Sequence, residues 1–218
     1  MSKATVSVVM CVRNGEAYLA QALDSVAAQS GVAIEVVVVD DGSSDGSVQI
    51  AASHSCRPRI FRQDALGQPF AMNRGVAEAR GTHVAFIDCD DVWPPGRLHA
   101  LLSNAASDPD VDGIFGQIVN TDAVLQPITQ PIRARMLTAG VISHALFARV
   151  GAFRTDIRHS SNVDWISRAV GSGARFAASE AVVLLRRVHG SNMGIVDVTK
   201  GRQDMLRVIR DHHARTRK

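Results

Sequence analysis

The chain has 218 residues, of which 46% are hydrophobic and 21% are charged, and its formal net charge is +3. This composition is typical of a globular protein with a sizeable core and excludes an intrinsically disordered chain. The basic residues form no stripe interleaved with aromatic residues, which argues against a nucleic-acid-binding protein.

The cysteines and apolar runs bear on the cellular compartment. Cys11, Cys56 and Cys89 are an odd number without Cys-x-x-Cys spacing, which argues against a disulfide scaffold and a zinc site and favours a cytoplasmic protein. No apolar run reaches the ~20 residues that a transmembrane helix needs. The N-terminal stretch MSKATVSVVMCV lacks a cleavage-site pattern, so it predicts a first strand and not a signal peptide.

Strand and helix signals alternate along the first 119 residues. The continuous apolar runs TVSVVMCV, IEVVVVDD and THVAFIDCDD are typical of strands buried on both faces. The other predicted elements are the helices GEAYLAQALDSVAAQ, DGSVQIAASHS, GQPFAMNRGVAEAR and PGRLHALLSNAAS and the strands RPRIFRQD and DGIFGQIVNTD. This alternation predicts an α/β, Rossmann-like sandwich with a mostly parallel central sheet flanked by helices.

The pattern is less regular after residue 119. TQPIRARMLTAGVISHALFARVGAF predicts a loop and a helix, NVDWISRAVGSG predicts a helix ended by glycine, and ARFAASEAVVLLRRVH predicts a late strand. We divide the chain into subregions 1–119 and 120–199 and a basic tail, 200–218. No linker composition separates them, so a single domain is expected.

Acidic residues follow two of the predicted strands. Asp40 and Asp41 end one, and Asp88, Asp90 and Asp91 end another. Ligands bind beyond the carboxyl ends of strands in open parallel sheets. Because a divalent cation removes the repulsion between close carboxylates, the clusters predict a Mg²⁺ or Mn²⁺ site shared with ligand phosphates. The alternative is that Asp91 caps the following helix and the other carboxylates are solvated.

Three motifs stand in a fixed order: VSVVMCVRNGEAYLAQALDSVAAQ, IEVVVVDDGSSDGS and GQPFAMNRGVAEARGTHVAFIDCDD. In this combination the chain resembles the family-2 glycosyltransferases with the GT-A fold, and RVGAF, NVDWISRA and RRVHGSN are weaker echoes. The resemblance implies metal-dependent transfer of a sugar, with inversion, from a nucleotide-sugar that we expect to be UDP-linked. It leaves the acceptor open between a saccharide, a lipid-linked molecule and a protein.

The resemblance also implies roles for particular positions. The nucleobase would lie against the turn after the first strand and the acids after the second. These positions are Cys11, Val12, Arg13, Asn14, Asp40 and Asp41. Many relatives carry Pro-x-Tyr-Asn at the first turn, whereas this chain has an arginine whose planar guanidinium can also stack on a base.

Further implied roles concern the metal and the sugar. The DxD motif corresponds to Asp88-Cys89-Asp90, with Asp88 near the ribose, Asp90 on the metal and Asp91 assisting. His189 resembles a late position near the diphosphate or metal. Gln68 and Asn73 lie on the segment that borders the nucleotide-sugar. For Cys89 itself, a small packing residue is expected.

The chain departs from the family at the expected catalytic base. Many relatives read Glu-Asp-x-Asp-x-x-x-Arg, with the first Asp as base, but Asn162 occupies that position here. An amide does not accept a proton at neutral pH. Three explanations compete: Asp164 or His159 substitutes as base, the acceptor needs little base help, or the protein is a non-catalytic nucleotide-sugar-binding or scaffold protein. Asp164 and Arg168 more often brace the helix in the family.

Other readings of the chain are weaker. A pyrophosphorylase or a dinucleotide oxidoreductase needs a glycine-rich signature after the first strand, and CVRNGEAY does not supply one.

Trp93 and Trp165 are expected either to line an acceptor pocket or to pack in the core. The tail mixes apolar and basic residues, typical of a helix on the inner face of a membrane, although docking on the domain or on a second subunit of a homodimer is preferred. His212 and His213 are expected to be solvated.

Overall fold

The computed structural model describes residues 5–106, 108, 110–190, 192 and 197–216. The strands are β1 Thr5–Val12, β2 Ala33–Asp40, β3 Arg59–Arg62, β4 His83–Asp88, β5 Gly113–Thr121, β6 Ile132–Arg133, β7 Gly140–Ser143 and β8 Phe176–Arg187. The helices are α1 Leu19–Ala27, α2 Ser47–Ser53, α3 Gln68–Glu78, α4 Arg97–Ala106, a 3₁₀ turn Leu137–Ala139, α5 His144–Val150, α6 Ser161–Gly171 and α7 Val198–Thr216.

All the described strands belong to one sheet, in the order β3-β2-β1-β4-β7-β5-β6, with β8 paired to β5. The pairs β1–β2, β1–β4, β2–β3 and β5–β8 are parallel, whereas β7 runs antiparallel to both β4 and β5. The predicted α/β sandwich with a mostly parallel sheet is therefore confirmed. The division proposed at residue 119 falls inside β5.

Alternation along β1 divides the core between the two faces of the sheet. Val6, Val8 and Met10 pack in the layer that contains Leu19 of α1, while Val9 packs in the layer on the opposite face. Side chains alternate between faces along a strand, so a continuous apolar run satisfies both layers at once. The runs that predicted β1, β2 and β4 owe their length to this double burial.

The structure corrects the prediction for residues 129–153. A four-residue strand, β7, precedes α5 there and joins the parallel half of the sheet to β5. Trp93 and Trp165 are 2% and 0% exposed, so of the two expected roles, acceptor-pocket lining and core packing, both residues have the second. Trp165 stacks on Phe147 with ring centroids 4.5 Å apart.

The tail forms helix α7, which docks on the domain as preferred from the sequence. Val208 is 3% exposed, and Ser167 Oγ of α6 lies 2.8 Å from His212 Nδ1. The expectation that His212 is solvated was therefore wrong. Within the described ranges, no helix combines the length and apolar character needed to cross a bilayer.

Close packing of α3 on β1 depends on Gly75. A Cβ at this position would overlap Val9 Cγ1 in the middle of β1. We expect Gly75→Ala to lower the free energy of unfolding by about 1–3 kcal/mol through overpacking, measured by urea denaturation. Gly171→Ala is the matched control, because nothing lies within 4 Å of its Cβ; it should raise stability by at most about 1 kcal/mol. Equal effects of the two substitutions would contradict this packing argument.

Candidate functional site

The loops that follow β1 and β2 meet at the carboxyl edge of the sheet. Asn14 N–H donates to Ser43 Oγ at 2.9 Å, and the Ser44 N–H donates to Asn14 Oδ1 at 2.9 Å. Gly15 N–H donates to Ser47 Oγ at 2.9 Å. Asn14 adopts a left-handed φ of 53°, which asparagine tolerates better than most residues. The predicted nucleobase segments therefore form one joined platform.

Asp40 and Asp41 are buried at this edge and shape the neighbouring loop. Asp41 Oδ1 accepts the Leu66 N–H at 2.8 Å, and its Oδ2 accepts the Gly67 N–H at 2.9 Å. Asp40 pairs with Arg62 at 3.3 Å. Because Gly67 is held at a φ of 107°, the chain turns directly into α3 there. Asp41 thus fixes the backbone at the start of α3, the helix that carries Gln68.

Asp88, Asp90 and Asp91 present carboxylate oxygens within 4.8 Å of one another. Burial, with the nearby charge of Asp90, raises the pKa of Asp88 to about 7. Burial and the same acidic neighbours raise the pKa of Asp91 well above its usual range. Such a set of desolvated oxygen ligands fits Mg²⁺ or Mn²⁺, whose charge would favour the ionised carboxylates.

Asp91 does not cap the following helix. It is 2% exposed, and its Oδ1 accepts the backbone N–H of Arg187 at 2.9 Å. The adjacent Val92 also exchanges two backbone hydrogen bonds with Leu185, at 3.0 and 2.8 Å. The alternative of a simple helix cap is therefore corrected: the acidic turn is attached to the end of β8.

The residues after β8 lie directly over Asp90. His189 Nε2 is 3.0 Å from Asp90 Oδ2, and Asn192 Nδ2 donates to the same oxygen at 3.1 Å. The Tyr18 ring lies 5.1 Å from the His189 ring. The structure therefore brings His189 to the acidic cluster, as the weak late motif suggested, and adds Asn192, to which the sequence analysis gave no role.

Arg187 organises this contact and was also missed from the sequence. It is 2% exposed and stacks over the Tyr18 ring, with Cζ 4.3 Å from the centroid. Its Nε donates to the Asp90 carbonyl at 2.8 Å, and a terminal nitrogen donates to Gln21 Oε1 at 2.6 Å. The only available signal was its place in RRVHGSN, because a buried arginine looks like any surface arginine in a sequence.

A cavity next to the acidic cluster is lined by residues from before and after residue 119. Gln68 lies at its edge, with Nε2 3.3 Å from Asp88 Oδ1. The polar residues that line it are Gln68, Asp88, Thr138, His159, Ser161 and Asn162, beside the Cys11 thiol. Burial raises the pKa of Cys11 well above its usual range, so the thiol stays neutral. The predicted base position and the predicted donor side thus share one cavity.

The segment before α6 contributes His159 to this cavity. The imidazole is 9% exposed, and Nε2 lies 3.3 Å from Asp197 Oδ2. Asp204 of α7 holds the backbone, because its Oδ2 accepts the N–H groups of Arg158 and His159 at 2.9 and 2.8 Å. Asn162 accepts the Val163 N–H at 2.8 Å. The arrangement therefore offers one imidazole paired to a carboxylate at the cavity.

Asp164 is corrected as a base candidate. Its side chain is fully buried and accepts a hydrogen bond from Arg168 Nε at 2.8 Å. The remaining guanidinium nitrogens of Arg168 donate to the carbonyls of Val150 and Ala152, both at 2.7 Å. Asp164 consequently braces α6 against the loop before it, which agrees with the expectation for the pair.

Four other predicted positions have different surroundings. The Asn73 amide exchanges two hydrogen bonds with the Phe153 backbone, at 2.9 and 2.7 Å, so it does not border the cavity. The Val12 side chain is 1% exposed in the core. Cys89 packs so closely on Gly15 that a Cβ there would approach Sγ to 2.8 Å, which fits a packing residue. Arg13 is exposed at the edge of the platform.

The raised pKa of Asp88 predicts a pH-dependent effect of metal. Because its folded-state pKa of about 7 exceeds the unfolded value of ~3.9, the stability it contributes is complete below ~3.9 and is lost as pH rises through 7. Mn²⁺ needs the ionised carboxylate, so we expect it to raise Tm more at about pH 8 than at about pH 5.5.

Thermal unfolding of two variants checks the source of this effect. Asp88→Asn should abolish most of the pH dependence, whereas Asp110→Asn, whose side chain is 78% exposed beside Arg175, should retain it. An equal rise in Tm at both pH values in the unmodified protein would contradict a metal site at Asp88.

Residues 7–162 match the family model described as Glycosyl transferase family 2. Among curated proteins, an uncharacterized glycosyltransferase of Nostoc sp., alr2836, is 42% identical over 103 residues, which cover 44% of this chain and 31% of that protein. The matched part of the chain spans between 14% and 52% of the length of the curated relatives compared with it.

Two solved structures share the fold. TarS 1-349 of S. aureus in complex with UDP-GlcNAc has a TM-score of 0.79 at 17% identity, covering 97% of this chain and 66% of that chain. The mannosyltransferase PcManGT of Pyrobaculum calidifontis, in complex with GDP-Man and Mn²⁺, has a TM-score of 0.74 at 19% identity, covering 97% and 64%. With the family match over most of its length, the chain belongs to glycosyltransferase family 2 and has the GT-A fold.

Proposed function

We propose that this chain transfers a sugar from a UDP-sugar to an acceptor hydroxyl, with inversion at the anomeric carbon. The observation that carries the proposal is the group of carboxylates, Asp88, Asp90 and Asp91, beside a cavity that also contains His159. Both solved structures named above are complexes with a nucleotide-sugar, and one of them also contains Mn²⁺, which supports the donor class. UDP as the nucleotide rests on the sequence resemblance.

The donor would bind across the joined platform after β1 and β2. Asp88, Asp90, Asp91 and His189 would hold Mn²⁺ or Mg²⁺. When bound, such a cation supplies positive charge that stabilises the departing diphosphate. Asn192 and Arg187 keep Asp90 oriented through its carboxylate and its carbonyl. A cytoplasmic location stays a prediction from the cysteine count.

His159 is the base in this proposal. In this proposal Nδ1 accepts the proton. Nε2 lies 3.3 Å from Asp197 Oδ2 and makes no hydrogen bond in the described structure, so it pairs with that carboxylate once the ring is protonated. The acceptor oxygen attacks the anomeric carbon, and the bond from that carbon to the diphosphate oxygen breaks. The electron pair of this bond leaves with the nucleoside diphosphate, and the hydroxyl proton passes to His159. Asp197 stabilises the imidazolium that results.

One observation favours a second function, a nucleotide-sugar-binding protein without transferase activity. Asn162 lines the cavity at the position where the family resemblance predicts the base. Its side-chain oxygen Oδ1 already accepts a hydrogen bond from the Val163 N–H. A protein of this kind would bind the donor with the same metal dependence but would not release UDP from it. Binding and turnover must therefore be measured separately.

Calorimetry with UDP-sugars tests the donor site. We expect binding to require Mn²⁺ or Mg²⁺, to disappear with chelator, and to weaken at least tenfold in Asp90→Ala, which removes a carboxylate that would contact the metal. Asp24→Ala is the control, because that side chain is 73% exposed and contacts only His54 in the described structure. Unchanged affinity in Asp90→Ala would contradict the proposed site.

Hydrolysis of the donor tests the base without knowledge of the acceptor, since water can replace it. We expect His159→Gln to slow UDP release about 100-fold while donor affinity is unchanged. Asn162→Asp should restore release in that background by supplying a carboxylate at the family position. The exposed His99→Gln is the control.

Two results would overturn parts of this proposal. Full activity in His159→Gln would exclude His159 as the base. Donor binding without UDP release in both the unmodified protein and Asn162→Asp would favour the non-catalytic function.

A further inference from the structure

Helix α7 exposes a mixed apolar and basic face to solvent. Val198, Met205, Leu206 and Ile209 are 47%, 38%, 68% and 47% exposed. At about 100° per residue, Val198, Met205 and Ile209 lie within about 40° of one another on the helix, with Leu206 about 60° further round. The exposed Arg202 lies between them, and Arg210, whose side chain is 75% exposed, borders Leu206. We call these six residues the outer face of α7.

The acidic residues of α7 lie on the opposite side and are already bonded to the domain. Asp204 accepts the N–H groups of Arg158 and His159. Asp211 accepts a hydrogen bond from Arg154 at 2.6 Å. Arg210 Nε also lies 3.6 Å from Asp211 Oδ1, but its side chain is 75% exposed. The carboxylates therefore lie on the side of the helix towards the domain, and the outer face presents Arg202 and the exposed Arg210 among apolar side chains.

The apolar surface continues onto α6. Val163 and Val170 are 39% and 45% exposed and lie four residues before and three after Ser167, on the same side of that helix. Ser167 contacts His212, which is one helical turn from Ile209. The exposed valines and the outer face of α7 consequently border the same interhelical junction.

We propose that the outer face of α7 docks on the surface of an anionic lipid bilayer. Apolar side chains flanked by arginines suit the boundary between acyl chains and negatively charged headgroups. A second copy of this chain suits the face less well. In a twofold dimer the same patch meets itself, which would place the arginines of one copy against those of the other.

Docking in this orientation would place the cavity near the membrane. The inward side of the same helix holds the backbone of His159 through Asp204. The cavity would then lie on the far side of α7 from the bilayer, within about one helix diameter of its surface. The docking inference does not depend on the chemistry proposed above, because vesicle binding and donor binding are measured independently.

Sedimentation with vesicles tests the inference using the full chain. We expect binding to vesicles of equal parts phosphatidylcholine and phosphatidylglycerol, and little binding to phosphatidylcholine alone. Leu206→Ser with Ile209→Ser should lower the partition coefficient about tenfold or more, since it removes the apolar contribution. Arg202→Gln with Arg210→Gln should lower it and reduce its dependence on salt.

Val124→Ser with Ile128→Ser is the matched control. These residues are 73% and 56% exposed, on the segment between β5 and β6, so the loss of exposed apolar surface is comparable while α7 is intact. The control should bind vesicles like the unmodified protein. Circular dichroism and UDP-sugar calorimetry on each variant establish that fold and donor site are retained.

Three outcomes would overturn the proposal. Equal binding to neutral and anionic vesicles would remove the role of the arginines. Equal loss of binding in the control would show that any exposed apolar patch suffices. Absence of binding to both vesicles, with a dimer in sedimentation velocity that Leu206→Ser with Ile209→Ser dissociates, would identify a second copy as the occupant.

Discussion

Mutual repulsion among the three carboxylates at the end of β4 is the main energetic constraint at the carboxyl edge of the sheet. Asp88, Asp90 and Asp91 lie in a partly buried turn where water screens them poorly. The protein holds them there with groups from far along the chain, above all the backbone and side chain of Arg187. β8 can deliver that arginine only because it runs parallel to β5 and ends at the edge where β4 ends.

The cavity beside this cluster has two sides of different origin. The donor side comes from turns after parallel strands, which are short and joined by side-chain hydrogen bonds such as those of Asn14. The other side comes from the segment before α6, whose backbone is bonded to α7. Asn162 stands where the family resemblance predicts the base, and His159, whose Nε2 lies 3.3 Å from Asp197 Oδ2, lines the same cavity. A base supplied three residues earlier would preserve the fold while changing the reacting side chain.

The parts of the fold that followed from the sequence are those that a local pattern determines. Doubly buried strands such as β1 and β4 need unbroken apolar runs, and strand ends in an open sheet locate ligands, so the acidic cluster was predictable. β7 was not predicted, because it runs directly into α5 with no turn signal between them, and its partners β4 and β5 are distant in sequence. Asn73 and Asp164 have the residue types of a site, yet their partners are structural, which only tertiary contacts reveal.

The hydrogen bonds that Asp204 accepts from the backbone N–H groups of Arg158 and His159 join segments that are more than forty residues apart. Local opening of α7 would therefore release one side of the cavity while leaving the strand-end platform in place. The strand-end platform and the segment that contains His159 can then differ in their free energies of local unfolding. The His159 segment would unfold together with α7 as one cooperative unit. Binding at the outer face of α7 would then stabilise that helix and reduce the conformational entropy of the adjoining cavity wall. Docking outside the cavity would in this way be coupled to preorganisation of the residues within it.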